Sequence, residues 1–265
     1  MAITVQVKET IWQNSFDTQQ FCPFFFFNPP DRVVRMEISR QTASKNTRRI
    51  VDLSHTIAEG VITYPGLPAP TFQSYLSRAD SPSRFAPGTE FTLDTISMIG
   101  NTGTYLDSPF HCFATGGDLA SLDLETLVGL RAEVIHVPFE SGRGITSALL
   151  QNRDLKGAAV LFYTGWDRLF GTPKYGVGAP FLTEDGARHL VQEGAALVGI
   201  DSLNIDDKDS SGERPAHTLL LAAGIHIVEH LTNLGNVPEQ GARFTAAPPK
   251  IKNFGTFPVR AYAEL

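Results

Sequence analysis

The sequence is short of cysteine, of long apolar runs and of clustered positive charge, and each shortage closes off a class of protein. Two cysteines among 265 residues, Cys22 and Cys112, cannot staple a disulfide framework. They suit a reducing compartment, so a cytoplasmic location is expected. No stretch approaches the roughly 18 consecutive apolar residues of a bilayer span, and no membrane partner is expected. Lys and Arg number 22 against 28 Asp and Glu, giving a net charge of −6 without any extended basic block. A nucleic-acid partner is therefore not expected. Gly and Pro, at 23 and 17, fall short of a collagen-like or disordered composition. Internal repeats are absent. What remains is a chain with 42% hydrophobic residues, enough for one large globular domain, or at most two small ones, that acts on a small molecule.

Residues 1–48 differ from the rest. Phe24–Phe27 lie between Pro23 and the pair Pro29 and Pro30, and a basic patch ends at Arg48 and Arg49. The apolar run is too short and too late for a secretory signal. These residues read as a loosely ordered arm whose phenylalanines pack on the body or on a neighbouring subunit. Met36 as the true start is the alternative. Residues 49–265 read as a single domain.

Within that domain the patterns alternate. Strands are expected at 49–54, 90–99, 132–137, 158–163, 196–200, 225–231 and 255–263 from their β-branched and apolar content. Thr183 is placed to cap a helix running to Glu193, with Gly194 closing it. A second helix starts at Pro215, runs through Leu219 and Ala223, and stops at Gly224. A helix feeding a strand implies that part of the sheet is parallel. The fold class is α/β, a mixed sheet with flanking helices.

Two windows carry chemistry. In Asn101-Thr102-Gly103-Thr104-Tyr105-Leu106-Asp107-Ser108-Pro109-Phe110-His111, an extended chain puts positions 101, 103, 105, 107 and 111 on one side. The polar and coordinating groups share that side. In 225–231, Glu229 falls on the same face as Ile225, Ile227 and Leu231. A buried carboxylate there costs several kcal/mol unless a proton, a cation or a metal neutralises it. His217, at the head of the preceding helix, is near enough in sequence to stand beside it. Three other features read as ordinary structure. Asp201-Ser202 is a turn or cap, Asp206-Asp207-Lys208-Asp209 is a solvated loop, and Cys112 is a buried structural thiol.

The Gly103-Thr104, Asp107, Pro109 and His111 motif resembles the signature of the metal-dependent cyclase-like hydrolases, the family of bacterial kynurenine formamidase and isatin hydrolase. That signature reads His-x-Gly-Thr-His-x-Asp-x-Pro-x-His, followed downstream by a His and then by a Glu twelve residues later. His217 and Glu229 match that pair. Asp52-Leu53-Ser54-His55, Tyr64-Pro65-Gly66, Thr164-Gly165-Trp166, Gly199-Ile200-Asp201 and 229–234 resemble further family blocks in family order. The resemblance spans about residues 49–264 and implies a swivelling β/β/α domain.

It departs at two positions, where Asn101 and Tyr105 replace the two signature histidines. Carried over by position, Asp107, His217 and Glu229 form a three-ligand set for one divalent ion, zinc or manganese. The second family metal site is expected to be lost, because an Asn amide and a protonated phenol are poor ligands. The implied chemistry is attack of metal-activated water on an amide, lactam or ester carbonyl in a small aromatic or cyclic substrate, with His111 as proton shuttle. Tyr105 and Asn101 become candidate oxyanion donors. Tyr64 and Trp166 become candidate walls for the substrate. The alternatives are an inactive or ligand-binding relative on the same scaffold, and a metal-free enzyme that uses Tyr105 and His111 for acid–base isomerisation or cyclisation. Family members are homodimers or homotetramers, and the same is expected here.

Overall fold

Strand formation follows the apolar pattern most closely at the centre of the molecule. The computed structural model describes residues 49–137 and 142–265. The expected arm at 1–48, including the phenylalanine cluster and Met36, lies outside the described residues. Ala159–Tyr163 carries five apolar or aromatic residues in a row and is buried on both faces, as a central parallel strand must be.

In chain order the strands are β1 (Ile50–Asp52), β2 (Thr71–Leu76), β3 (Leu93–Ser97), β4 (Tyr105–Asp107), β5 (Leu130–His136), β6 (Gly144–Ile145), β7 (Ala159–Tyr163) and β8 (Phe181–Leu182). Then come helix α1 (Glu184–Glu193), β9 (Leu197–Ile200), helix α2 (Pro215–Ala222), β10 (His226–Glu229), β11 (Arg243–Thr245), β12 (Thr256–Pro258) and β13 (Tyr262–Glu264).

Nine strands form one mixed sheet in the order β1-β13-β11-β5-β7-β9-β10-β4-β12. The central β5, β7, β9 and β10 are parallel, and the flanking strands pair antiparallel. The remaining strands make two small ribbons, β2 with β3 and β6 with β8.

Alternation along the strands splits the core between the two faces of this sheet. Val160, Phe162, Val198, Ile200 and Ile227 pack with Ala187 and Leu190 of α1 and Ala216, Leu220 and Leu221 of α2. Ala159, Leu161, Leu197, Val228 and Leu106 point the other way, towards Val51, Leu53 and Phe244. Full burial of each such Leu, Ile or Phe contributes about 1.5–3 kcal/mol. Both α-helices begin where the sequence says. Thr183 accepts the Gly186 N–H, Gly194 closes α1 in the left-handed conformation, and Pro215 occupies the first turn of α2. Among the described residues no helix is long and apolar enough to cross a membrane.

Several expectations need correction. The segment 255–263 is two strands, β12 and β13, because the chain changes partner, from β4 to β1 and β11. β10 stops at Glu229, since His230 takes a positive φ of 56°. β2 and β11 carry no apolar alternation, and their strand state comes from their pairing partners.

Candidate metal-binding and catalytic site

The site lies on the α2 side of the sheet, where β10 and β4 run antiparallel. Their register sets Glu229 opposite Tyr105 and Ile227 opposite Asp107, while β12 sets Thr256 opposite Asp107 on the other edge of β4. Period two within β4 sends Tyr105 and Asp107 to one face and Leu106 to the other. The Gly103-Thr104 pair in front of them ties three segments together. The Gly103 N–H donates to Thr63 Oγ1 at 2.7 Å, Thr104 Oγ1 accepts the His55 N–H at 2.9 Å, and it donates to the His230 carbonyl at 2.5 Å. Gly103 has φ +65°, and a Cβ there would lie 2.8 Å from Ile57 Cγ1, so only glycine fits.

Asp107 is fully buried. Its Oδ1 accepts the Thr256 hydroxyl, and its Oδ2 has no hydrogen-bond partner among the described residues. That bare oxygen lies 3.7 Å from His217 Nε2, and the same nitrogen lies 3.7 Å from Glu229 Oε1. These separations are too long for hydrogen bonds. They are close to the ~3.4 Å between neighbouring ligands on a tetrahedral divalent ion with bonds of about 2.1 Å.

His217 is held from behind. Its Nδ1 is 2.6 Å from Asp206 Oδ2, which leaves Nε2 as the nitrogen aimed at the carboxylates. Asp206 also accepts the Ala216 N–H at 2.7 Å and the His217 N–H at 3.1 Å, so it caps α2 as well. The expectation of a solvated 206–209 loop is therefore corrected at its first residue: Asp206 is buried, and Asp207 and Asp209 pair with Arg143.

Glu229 accepts the Ile205 N–H at Oε1, 2.6 Å away, and the Tyr105 hydroxyl at Oε2, 2.5 Å away. Burial, reinforced by the charge on Asp107, lifts the Glu229 carboxyl to about 7 against the pull of His217 and its hydrogen bonds. Burial pushes the His217 imidazolium down, but the nearby Asp107 carboxylate, the hydrogen bond to Asp206 and the charge of Glu229 outweigh it, and the net shift is upward. The cluster thus calls for positive charge, which a proton on His217 or a bound dication supplies. A bare buried carboxylate oxygen and an oriented imidazole suit a divalent ion, and Glu229 Oε1 approaches the same imidazole nitrogen, while the ligand atoms that all lie within 4.8 Å of one another are those of Asp107, His217 and His111.

Tyr105 is buried and keeps its proton. Burial, then the charges of Glu229 and Asp107, drive its phenol well above the usual range. Its single O–H already points at Glu229, so the expected role as an oxyanion donor is not met in this arrangement.

His111 reaches the site by a route that the extended reading missed. Pro109–His111 is a turn of 3-10 helix, which makes Asp107 and His111 an i, i+4 pair with Nδ1 3.6 Å from Oδ1. Asp107, His111 and His217 form a group whose ligand atoms all lie within 4.8 Å of one another. The His111 side chain is 34% exposed and lines a pocket of about 320 Å3 with Gly100, Asn101, Phe254 and Thr256. The same turn carries Cys112 to the surface, which corrects the expectation of a buried thiol.

Tyr64 and Trp166 pack with Tyr175, Leu203, Leu169 and Phe170 in an aromatic cluster, which meets Tyr105 through His230. The Trp166 indole N–H donates to the Tyr175 carbonyl at 2.9 Å, a structural tie. Asp201 is a turn clamp, as expected, and accepts from Thr164 N, Thr164 Oγ1 and Gly165 N.

The residues that sequence reasoning missed are Asp206 and Thr256. Neither stands in a pattern whose spacing points to the site, and both arrive through pairing and turns.

Comparison with known proteins matches this architecture. The Cyclase family model matches residues 51–207, more than half of the chain. A protein named kynurenine formamidase from Geobacillus thermodenitrificans is 32% identical over 213 residues, covering 80% of this chain and 95% of its own length. Isatin hydrolase A of Labrenzia aggregata, solved bound to benzyl benzoate, superposes with a TM-score of 0.71 at 25% identity, over 83% of this chain and 94% of that one. A solved protein described as a potential metal-dependent hydrolase with cyclase activity gives a TM-score of 0.67 at 27% identity, over 82% and 98%. On the extent of these matches and the fold they share, the chain belongs to the Cyclase family.

Proposed function

We propose that this chain hydrolyses the carbon–nitrogen bond of a small aromatic amide or lactam, with one divalent ion, zinc or manganese, held by Asp107, His217 and Glu229. The observation that carries the reading is the placement of His217 Nε2 at 3.7 Å from one oxygen of each carboxylate, the Asp107 oxygen being buried without a hydrogen-bond partner among the described residues. The names of the relatives, a formamidase and a hydrolase of isatin, support the substrate class.

A bound divalent ion supplies Lewis-acid polarisation of the substrate carbonyl and lowers the pKa of water. The side chains do the rest. Asp206 keeps the His217 Nε2 lone pair turned towards the carboxylates. His111, at the edge of the pocket, takes the proton from the attacking water and returns it to the leaving nitrogen. Asn101 lines the same pocket and offers its amide N–H to the developing oxyanion. Tyr105 holds Glu229 in place rather than donating to substrate. A second ion is not part of this reading, because Asn101 and a protonated Tyr105 offer no strong ligand.

The test combines metal analysis with turnover of an N-formyl arylamine and of a cyclic aryl imide. About one zinc or manganese per chain is expected, lost in Asp107→Ala and Glu229→Ala together with activity, and retained in His111→Ala. Turnover that survives exhaustive chelation, or an ion retained in both carboxylate variants, overturns the reading. Tight binding of an aromatic acid without any turnover would instead indicate a ligand-binding relative.

A further inference from the structure

We infer that Thr256 is a positioning residue that fixes the proton of His111 on Nδ1 and so presents Nε2 as the base. The inference rests on the hydrolase reading above for its catalytic consequence, but not for its geometry. β12 pairs with β4 so that Thr256 stands directly opposite Asp107, and directly opposed residues of an antiparallel pair share a face. The Thr256 hydroxyl donates to Asp107 Oδ1 and lies 2.7 Å from His111 Nδ1.

A hydroxyl has one proton to give. The carboxylate oxygen accepts it, so the second contact requires that His111 Nδ1 be the donor and Thr256 Oγ1 the acceptor. The direct path from His111 Nδ1 to Asp107 Oδ1 is 3.6 Å, too long for a bond, so Thr256 is the bridge. With the proton on Nδ1, the Nε2 lone pair is free on a ring that lines the pocket.

When Nε2 takes a proton from water, one water O–H bond breaks and one N–H bond forms. The resulting positive ring faces the Asp107 carboxylate through Thr256. The proton then passes from Nε2 to the leaving amine nitrogen, and the ring returns to its starting form.

Three proteins test this: the wild type, Thr256→Val, which keeps the shape and removes the hydroxyl, and Thr256→Ser, which keeps the hydroxyl. Nitrogen-15 spectra of histidine-labelled protein, with and without zinc, read the tautomer of His111, assigned by its loss in His111→Asn. The wild type and Thr256→Ser are expected to carry the Nδ1–H form, and Thr256→Val a mixture. With an N-formyl arylamine as substrate, kcat of Thr256→Val is expected to fall about 10- to 100-fold with KM and metal content unchanged, and Thr256→Ser to recover most of it.

A wild-type His111 protonated on Nε2 overturns the inference. So does a Thr256→Val enzyme with wild-type kcat, or a Thr256→Ser enzyme as impaired as the valine variant. If the wild type turned over no amide, the hydrolase reading would fail, and the tautomer comparison would still decide the role of Thr256.

Discussion

Asp206 serves His217 twice, once through the backbone and once through the ring. Its two oxygens accept N–H groups from the first turn of α2, and one of them also takes the imidazole Nδ1. Removing the carboxylate leaves two buried backbone donors and a ring nitrogen without partners. Asp206→Ala is expected to lower unfolding stability by about 1–3 kcal/mol and to weaken metal binding about 10- to 100-fold. Denaturant melts and zinc titration measure the two effects separately; unchanged metal affinity would show that the ring is oriented by something else. The ligand-type residues were legible in the sequence because a carboxylate on an apolar strand and an imidazole at a helix start are anomalies. Asp206 was not legible. It sits in an acidic, loop-like run, and only the turn that folds 206 back onto residue 216 makes it a buried acceptor.

At the scale of elements, the strand that matters most for the chemistry is the one that the pattern described least well. β12 reaches His111 because two glycines let backbones touch. A Cβ on Gly255 would lie 2.7 Å from His111 Cα and N, and one on Gly100 would lie 2.2 Å from the Thr256 carbonyl oxygen. The Gly255 carbonyl also accepts from both the N–H and the hydroxyl of Ser108. Backbone atoms cannot swing aside as a flexible side chain can, so Gly255→Ala must move β12 away from the 3-10 turn. Such overpacking costs about 1–3 kcal/mol. The expected result is a lower melting temperature together with a kcat loss like that of Thr256→Val. An alanine variant with full stability and full activity would contradict the close packing. The helices were read well from sequence because Thr183, Gly194 and Pro215 act within one turn of their own positions. β12 could not be separated from β13, because one run of favourable residues hides the change of partner from β4 to β1 and β11.

For the whole molecule, stability against acid depends on groups buried without charge. Burial holds His55 and His226 down to about 4, and burial with the nearby His55 holds His230 to about 3. Asp201 acts in the opposite sense, lifted by burial to about 7. His226 isolates one contribution, since burial alone causes its shift. Below about 6.5 the unfolded chain binds a proton at His226 and the folded chain does not, until the pH reaches about 4. Its contribution therefore declines as pH falls through that window and is level below it. His226→Leu removes the titration, so the stability difference between wild type and variant should move against the wild type between those limits. Denaturant melts across the window measure it, and a difference that does not change with pH would show that the ring is already charged or hydrated.

The family, the α/β class, the two helices and the residue types of the site were fixed by local order along the chain. Each follows from spacing, caps and motif letters whose effect spans a few residues. The partners were decided elsewhere. Which oxygen of Asp107 is left bare, which way the Tyr105 hydroxyl points, that Asp206 backs His217 and that Thr256 joins Asp107 to His111 depend on register between β4, β10 and β12. Register is set by packing both faces of the sheet at once, and a linear pattern records which face a residue takes but not which neighbour it meets.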